Sequence, residues 1–310
     1  GPIERAGHLL PQLAASRLFR MDRDHFWAGV WLVIWGLGKK MVLADNLGLA
    51  ADPVFDDPHA YPPIELLIAT LAFTFQIFFD FSAYSDIARG AASFFGIKLV
   101  RNFRLPYLAS SPSDFWRRWH VSLSEWIRDY VYVPLGGDRG GRSRTLVNLT
   151  ITMALAGLWH GAAWHFCVWG LYHGLLLVVW RMTSGAFARR LGAGLVARLR
   201  PLRQVLMFGL VVIGWVFFRA DSLPDAAYIL ESIASLIHPL ATAGFRDTRA
   251  IVFFGFVAIT LVAMELEERR RILTSLTSRP IPFGILLAVC ILAILILAPE
   301  ETQEFIYFQF

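Results

Sequence analysis

The chain has 310 residues, of which 56% are hydrophobic and only 17% are charged. Soluble domains carry about a quarter charged residues, so a water-soluble globular protein is excluded. The mean hydropathy of +0.52 and the 25 Phe and 11 Trp residues are typical of lipid contact and of aromatic belts at membrane interfaces. The composition therefore predicts an all-α, polytopic bundle of transmembrane helices. The two cysteines, Cys167 and Cys290, lie in apolar runs and are interpreted as packing residues.

Six or seven segments of the chain are apolar enough to insert into a membrane. They lie near 26–44, 64–84, 145–160, 163–181, 203–219, 250–264 and 281–298. Several are shorter than the roughly 20 residues that a perpendicular span needs. Gly157, Gly161 and Gly170 interrupt the long run at 145–181, as do the polar residues His160 and His165. We therefore expect a helix break near 160–164.

The charges of the connecting segments predict an orientation. Residues 98–144 carry nine Lys or Arg against four acids, and residues 181–203 carry six Arg and no acid. The segments 51–63, 220–248 and 299–310 are acidic. Because basic segments stay in the cytoplasm, the C-terminus is predicted to lie outside. The net charge of +5 is then a signal of topology, and no nucleic-acid partner is expected.

Residues 101–144 are not expected to span the membrane, and within them the spacing over 116–130 predicts an amphipathic helix that lies in the plane of the membrane interface. Its apolar stripe recurs every three or four residues and consists of Trp116, Trp119, Leu123, Trp126 and Tyr130. The opposite face is polar and consists of Arg117, Arg118, Ser122, Glu125 and Asp129. His120 lies at the margin of the stripe, with Ser124 one turn away. Ser113 or Asp114 is expected to cap the start of the helix.

Two Trp-His dipeptides, Trp119-His120 and Trp159-His160, are the strongest functional signal. An ionisable side chain within an apolar run costs several kcal/mol and marks a functional site by default. Histidine titrates near neutral pH, which suits a general base that takes a proton from an acceptor hydroxyl. A structural histidine bonded to a backbone carbonyl is the alternative.

The sequence does not contain the residue patterns for two other uses of histidine, a metal site and a catalytic triad. The spacing of His160 and His165 is not the HExxH pattern, so no metal site is predicted. A Ser-His-Asp triad lacks both the GxSxG elbow and an orienting acid near His160.

Two polar features outside the histidine pairs allow either of two interpretations. Asp80 and Asp86 end an apolar run, where they mark either a helix end in a polar layer or a proton relay. The glycine-rich stretch 136–142 is interpreted as a turn, because it has neither the Walker A nor the dinucleotide pattern. Its arginines, with those nearby, still predict affinity for a lipid headgroup, a coenzyme phosphate or an acidic carrier.

Several long motifs, in order, resemble the bacterial branch of the membrane-bound O-acyltransferase (MBOAT) family. They are 79–86 (FDFSAYSD), 102–107 (NFRLPY), 114–120 (DFWRRWH), 122–130 (SLSEWIRDY), 133–137 (VPLGG) and 157–164 (GLWHGAAW). The start of the chain is similar to an internal motif of that family. The resemblance therefore implies a single MBOAT domain over 1–310 whose N-terminal helices are missing.

The resemblance also implies a function and a site. His160 would be the catalytic histidine and His120 the second signature position. The implied activity is transfer of acetyl groups from a cytoplasmic thioester, acetyl-CoA or an acyl carrier protein, to an exported polysaccharide such as alginate. No bound cofactor is expected. The expected location is the bacterial inner membrane, in contact with lipid and with a periplasmic acyl-handling partner.

Eight further residues are expected to support the site, and two other functions are possible. Side chains expected to line the substrate channel or support the site are Trp119, Trp159, Trp164, Ser124, Asp80, Asp86, Arg128 and Asp129. Of these, the three tryptophans would shape an apolar acyl slot. A proton-coupled transporter or flippase, with His160, Asp80 and Asp86 as its relay, is the alternative. A structural scaffold of a secretion complex is a third interpretation.

Overall fold

The structure is a computed structural model that describes residues 2–14, 23–236, 249–270, 279–300 and 303–306. The regular elements in these ranges are all helical, which confirms the all-α fold class. Within the same ranges, five helices are long and apolar enough to cross a membrane. They are Arg23–Asp56, Pro63–Phe94, Trp164–Phe187, Arg200–Arg219 and Pro280–Leu297.

The described residues form twelve α-helices. They are α1 (Ala6–Ala14), α2 (Arg23–Leu37), α3 (Asp45–Asp56), α4 (Pro63–Phe94), α5 (Pro112–Trp116), α6 (Val121–Ile127), α7 (Gly141–His160), α8 (Trp164–Arg198), α9 (Arg200–Arg219), α10 (Leu223–Ser235), α11 (Arg249–Arg270) and α12 (Pro280–Leu297). A π-helix, Gly38–Ala44, joins α2 to α3, and a second, Arg128–Tyr132, follows α6. Short 3₁₀ turns occupy Pro58–Ala60 and Pro106–Leu108.

The helices confirm the predicted break and refine the predicted spans. Helix α7 ends at His160 and α8 begins at Trp164. The segment predicted near 26–44 continues through the π-helix into α3, which gives one stretch of 34 residues. The segments 145–160 and 250–264 lie in α7 and α11, which are not among the five candidate spans found in the described ranges.

The single amphipathic helix predicted around 116–130 is wrong. Helix α5 ends at Trp116, and α6 begins only after His120, whose φ of 41° and ψ of 57° lie in the left-handed region. An α-helix of L-residues cannot continue through that conformation. The predicted cap is also displaced, because the Ser111 hydroxyl accepts the N–H of Asp114 at 3.1 Å, and the helix begins before Ser113.

The chain divides into two compact units, each discontinuous in sequence. The first comprises Gly1–Asp52, Leu71–Asn102 and Arg246–Gln309, and the second comprises Pro53–Thr70, Phe103–Phe245 and Phe310. Both histidines of the Trp-His pairs belong to the second unit, whereas Asp80 and Asp86 belong to the first. The single MBOAT domain over 1–310 stays a prediction.

In the second unit, the hairpin of α7 and α8 is held together by glycines. The α-carbons of Gly157 and Gly170 face each other, and a Cβ added to Gly170 would lie 3.1 Å from the Gly157 α-carbon. That Cβ would also collide with the Met153 carbonyl oxygen. Small residues at such a crossing let two helix backbones approach closely. This close crossing fixes His160, at the end of α7, against the first turns of α8.

Candidate functional site

His160 ends α7 beside a cluster of buried aromatic rings. Its ring centroid lies 5.2 Å from that of Trp169 and 5.1 Å from that of Phe218, with interplanar angles of 87° and 80°. Edge-to-face contacts of this kind orient a ring. Trp169 is 2% exposed and Phe218 is 1% exposed. The helix break therefore places an oriented imidazole against a water-excluding wall.

The two Trp-His pairs meet in this aromatic cluster. The Trp119 centroid lies 4.8 Å from that of Trp215, which lies 5.5 Å from that of Phe218. Trp215 and Phe218 are three residues apart on α9 and so project from one face of the helix. Phe218 contacts His160 in turn. The sequence pairs, forty residues apart, are thus joined through α9 into one aromatic cluster.

His120 is held in a strained backbone conformation and is 3% exposed. A left-handed non-glycine residue costs of order 1 to 3 kcal/mol, and such residues cluster at functional sites. Burial lowers the pKa of the His120 imidazole to about 3, and the nearby charge of His160 lowers it in the same direction. His120 is therefore neutral near pH 7, with one N–H donor and one acceptor nitrogen.

Trp119 and Ser124 both support the turn that carries His120. The Trp119 ring is 4% exposed, stacks on Phe115 at 5.8 Å, and meets Phe103 edge-on at 5.0 Å. The Ser124 hydroxyl donates to the Trp119 carbonyl oxygen at 3.1 Å, and the Ser124 N–H donates to the His120 carbonyl oxygen at 2.9 Å. These bonds tie α6 to the left-handed turn.

Four of the predicted supporting residues are exposed. Trp159 is 50% exposed, and its ring centroid lies 5.0 Å from that of His160, whereas Trp164 is 78% exposed. Their place in an acyl slot stays a prediction. The Arg128 guanidinium donates to Asp129 at 2.8 Å, and both side chains are well exposed. Exposed pairs of this kind contribute little to stability, and this pair lies on the surface of its π-helix.

Asp80 and Asp86 belong to a buried charge cluster of the first unit. Lys40 Nζ lies 2.7 Å from an Asp80 carboxylate oxygen and 2.8 Å from one of Asp45. Lys39 Nζ donates to Asp86 at 2.8 Å. The lysines at 39 and 40, which the sequence places inside an apolar segment, are therefore each paired with acids in the fold. The proton-relay role of the two aspartates stays a prediction.

Sequence reasoning missed most of the buried wall around His160. Trp169, Trp215 and Phe218 stand in apolar helices, where an aromatic residue facing lipid and one facing the interior look alike in sequence. The usable signal was spacing, since Trp169 and His173 are four residues apart and Trp215 and Phe218 are three apart. Among the described residues, no group of three or more His, Cys, Asp or Glu could hold a metal ion.

The fold and the site together define a class: a multi-pass helical membrane protein in which a buried histidine, His120, and a partly buried one, His160, adjoin one aromatic cluster. The family model of the membrane-bound O-acyltransferases matches residues 1–218. The chain belongs to this family.

Curated relatives share this part of the chain. It is 43% identical over 228 residues to the probable alginate O-acetylase AlgI of Azotobacter vinelandii, covering 73% of this chain and 43% of the relative. The probable alginate O-acetylase AlgI of Pseudomonas aeruginosa is 41% identical over 236 residues, covering 76% and 43%. The peptidoglycan O-acetyltransferase of Helicobacter pylori is 37% identical over 236 residues, covering 76% and 44%. The chain thus spans less than half the length of these relatives.

Proposed function

We propose that the protein is a membrane O-acyltransferase that transfers acetyl groups from a cytoplasmic thioester to hydroxyls of an exported polysaccharide. The observation that carries the proposal is the position of His160. Its imidazole lies at a helix break against buried aromatic rings, and Trp119 of the other Trp-His pair packs into the same aromatic cluster. The relatives with the highest identities above are O-acetylases or O-acetyltransferases of polymers. These names support an acetyl donor and a glycan acceptor.

The chemistry requires one base and one hydrogen-bond donor. A neutral His160 takes the proton of the acceptor hydroxyl while the oxygen attacks the thioester carbonyl carbon. The neutral His120 ring donates its N–H to the carbonyl oxygen as negative charge develops there. The carbon–sulfur bond then breaks, the thiolate takes the proton from His160, and the ester remains on the acceptor. Direct transfer of this kind needs no protein nucleophile and no bound cofactor.

The donor and the partners follow from charge and chemistry. The basic segment 98–144 is suited to the phosphates of acetyl-CoA or to an acidic acyl carrier protein. The acceptor side would work with the polysaccharide itself and with a periplasmic acyl-handling protein. A D-alanyl thioester is the other donor that the chemistry allows, because the same base and the same carbonyl are used.

The proposed location is the bacterial inner membrane with the C-terminus in the periplasm. The support is the charge asymmetry of the segments between helices, which places the basic segments in the cytoplasm. An alkaline-phosphatase fusion at the C-terminus of the full-length protein tests it, since this reporter is active only outside the cytoplasm. An inactive fusion at normal abundance contradicts the orientation.

The transporter interpretation is not favoured, because the relatives are named for acyl transfer. The two classes differ in what happens to the substrate. The full-length protein, reconstituted in vesicles with acetyl-labelled thioester and polysaccharide, should release free thiol in step with labelled ester. A transporter or a scaffold would leave the thioester intact, and that result at normal protein abundance contradicts the proposal.

A further inference from the structure

His173 is a third buried histidine that the proposed mechanism does not use. It lies on α8, is 0% exposed, and has no hydrogen-bond partner for either ring nitrogen among the described residues. Its ring stacks on Phe115 at 5.9 Å. A Cβ added to Gly214 would lie 2.7 Å from His173 Nε2, so the backbone of α9 closes that side. Buried polar groups in proteins are nearly always satisfied by protein or by a bound small molecule.

Two tryptophans beside His173 also have a buried ring nitrogen with no hydrogen-bond partner among the described residues. The His173 centroid lies 5.2 Å from those of both Trp116 and Trp169, and the two indole centroids are 5.9 Å apart. Neither indole N–H has an acceptor among the described residues. Three rings, each with a nitrogen that lacks a partner among the described residues, thus pack against one another. One small molecule that bridged them would satisfy more than one of these nitrogens.

The chemistry of the three rings defines what that molecule must be. An indole N–H only donates, whereas a neutral imidazole both donates and accepts. The ligand must therefore accept from Trp116 or Trp169, and it either accepts from or donates to the imidazole, depending on which His173 nitrogen carries the proton. A hydroxyl group can do either, and a carbonyl oxygen only accepts. A buried water needs two to four polar partners and little volume, and the rings supply those partners.

We propose that His173, Trp116 and Trp169 bind one hydroxyl group, either that of a water molecule or that of the acceptor. His173 then acts as a positioning residue for the reaction. Trp169 carries the effect, because its ring contacts His173 on one side and His160 on the other, each at 5.2 Å. A bound hydroxyl fixes the indole, and the indole orients the base. The catalytic part of this proposal rests on the proposed acyl transfer, whereas the binding site does not.

Three variants of the full-length protein test the role of His173. His173→Phe keeps a planar ring and removes both nitrogens, and His173→Gln restores a donor and an acceptor. Tyr172→Phe is the matched control, because that hydroxyl donates to the Leu210 carbonyl oxygen and not to the three rings.

We expect His173→Phe to impair acetyl transfer about tenfold to 100-fold, as small misplacements near reacting groups do. A bound water predicts a lower kcat with unchanged KM, whereas a bound acceptor hydroxyl predicts a raised KM for the acceptor. His173→Gln should recover part of the loss, and Tyr172→Phe should match the wild type. Wild-type kinetics in His173→Phe overturn the positioning role. So does a Gln variant as poor as the Phe variant at equal melting temperature.

A high-resolution structure of the full-length protein tests the binding site without any turnover. The proposal requires a density peak at about 2.7 to 3.2 Å from a His173 nitrogen and from an indole nitrogen. The peak should be absent in His173→Phe. A wild-type map without the peak overturns the site even if the enzyme acetylates. A peak in a protein that transfers no acetyl group leaves the site standing and refutes only the proposed function.

Discussion

The buried, neutral state of His120 makes a measurable prediction about stability and pH. Burial lowers its pKa from 6.5 to about 3 in the folded protein. Below about pH 6.5 the unfolded chain binds a proton at His120 that the folded protein does not. The free energy of unfolding is therefore highest above that pH and decreases as the pH falls from 6.5 toward 3. Each pKa unit corresponds to about 1.36 kcal/mol. Lowering the pH to 4 should therefore cost about 3 kcal/mol through His120 alone.

The assay compares thermal unfolding of the full-length wild type and of His120→Gln in detergent at pH 7 and pH 4. Glutamine does not titrate, so the variant lacks the His120 contribution while it keeps every other titrating group. The wild type should lose about 3 kcal/mol more than the variant between the two pH values. Equal losses in the two proteins would refute the claim that His120 is buried and neutral.

Two further predictions concern stability and helix packing. Lys40→Met leaves the buried carboxylates of Asp45 and Asp80 without their cation. We therefore expect the free energy of unfolding to fall by about 3 to 5 kcal/mol, which is measured as a lower unfolding midpoint. An unchanged midpoint would contradict the buried pairing. Gly170→Ala places a Cβ against a carbonyl oxygen of α7, whereas a Cβ at Gly209 has nothing within 4 Å. The first variant should lower both the midpoint and acetyl transfer and Gly209→Ala neither, and equal behaviour of the two would contradict the tight α7–α8 crossing.

The helix break that positions His160 was predictable because its causes are local. Glycines and polar residues stand together at 157–165, and α7 ends where they predict. The conformation of His120 was not predictable in the same way. Its neighbours recur with helical spacing, yet the residue adopts a left-handed conformation. The hydrogen bonds and ring contacts around Trp119 stabilise that turn, and sequence spacing does not reveal them.

The contacts between buried residues far apart in sequence were the second feature that sequence patterns could not predict. Lys39 and Lys40 interrupt an apolar segment, and their acids at 80 and 86 lie about forty residues away in sequence. Trp215 and Phe218 look like ordinary lipid-facing residues until α9 is packed beside α7 and α8. Pairings of this kind depend on which helix faces are buried, which composition and period leave open.

The central claim is that His160 is the general base of acyl transfer. The most direct test is acetyl transfer by the full-length protein carrying His160→Ala, with His165→Ala as the matched control five residues away. Loss of a general base should lower kcat by on the order of 100-fold or more, at unchanged protein abundance, while the control stays near wild type. Wild-type turnover by His160→Ala would contradict the account.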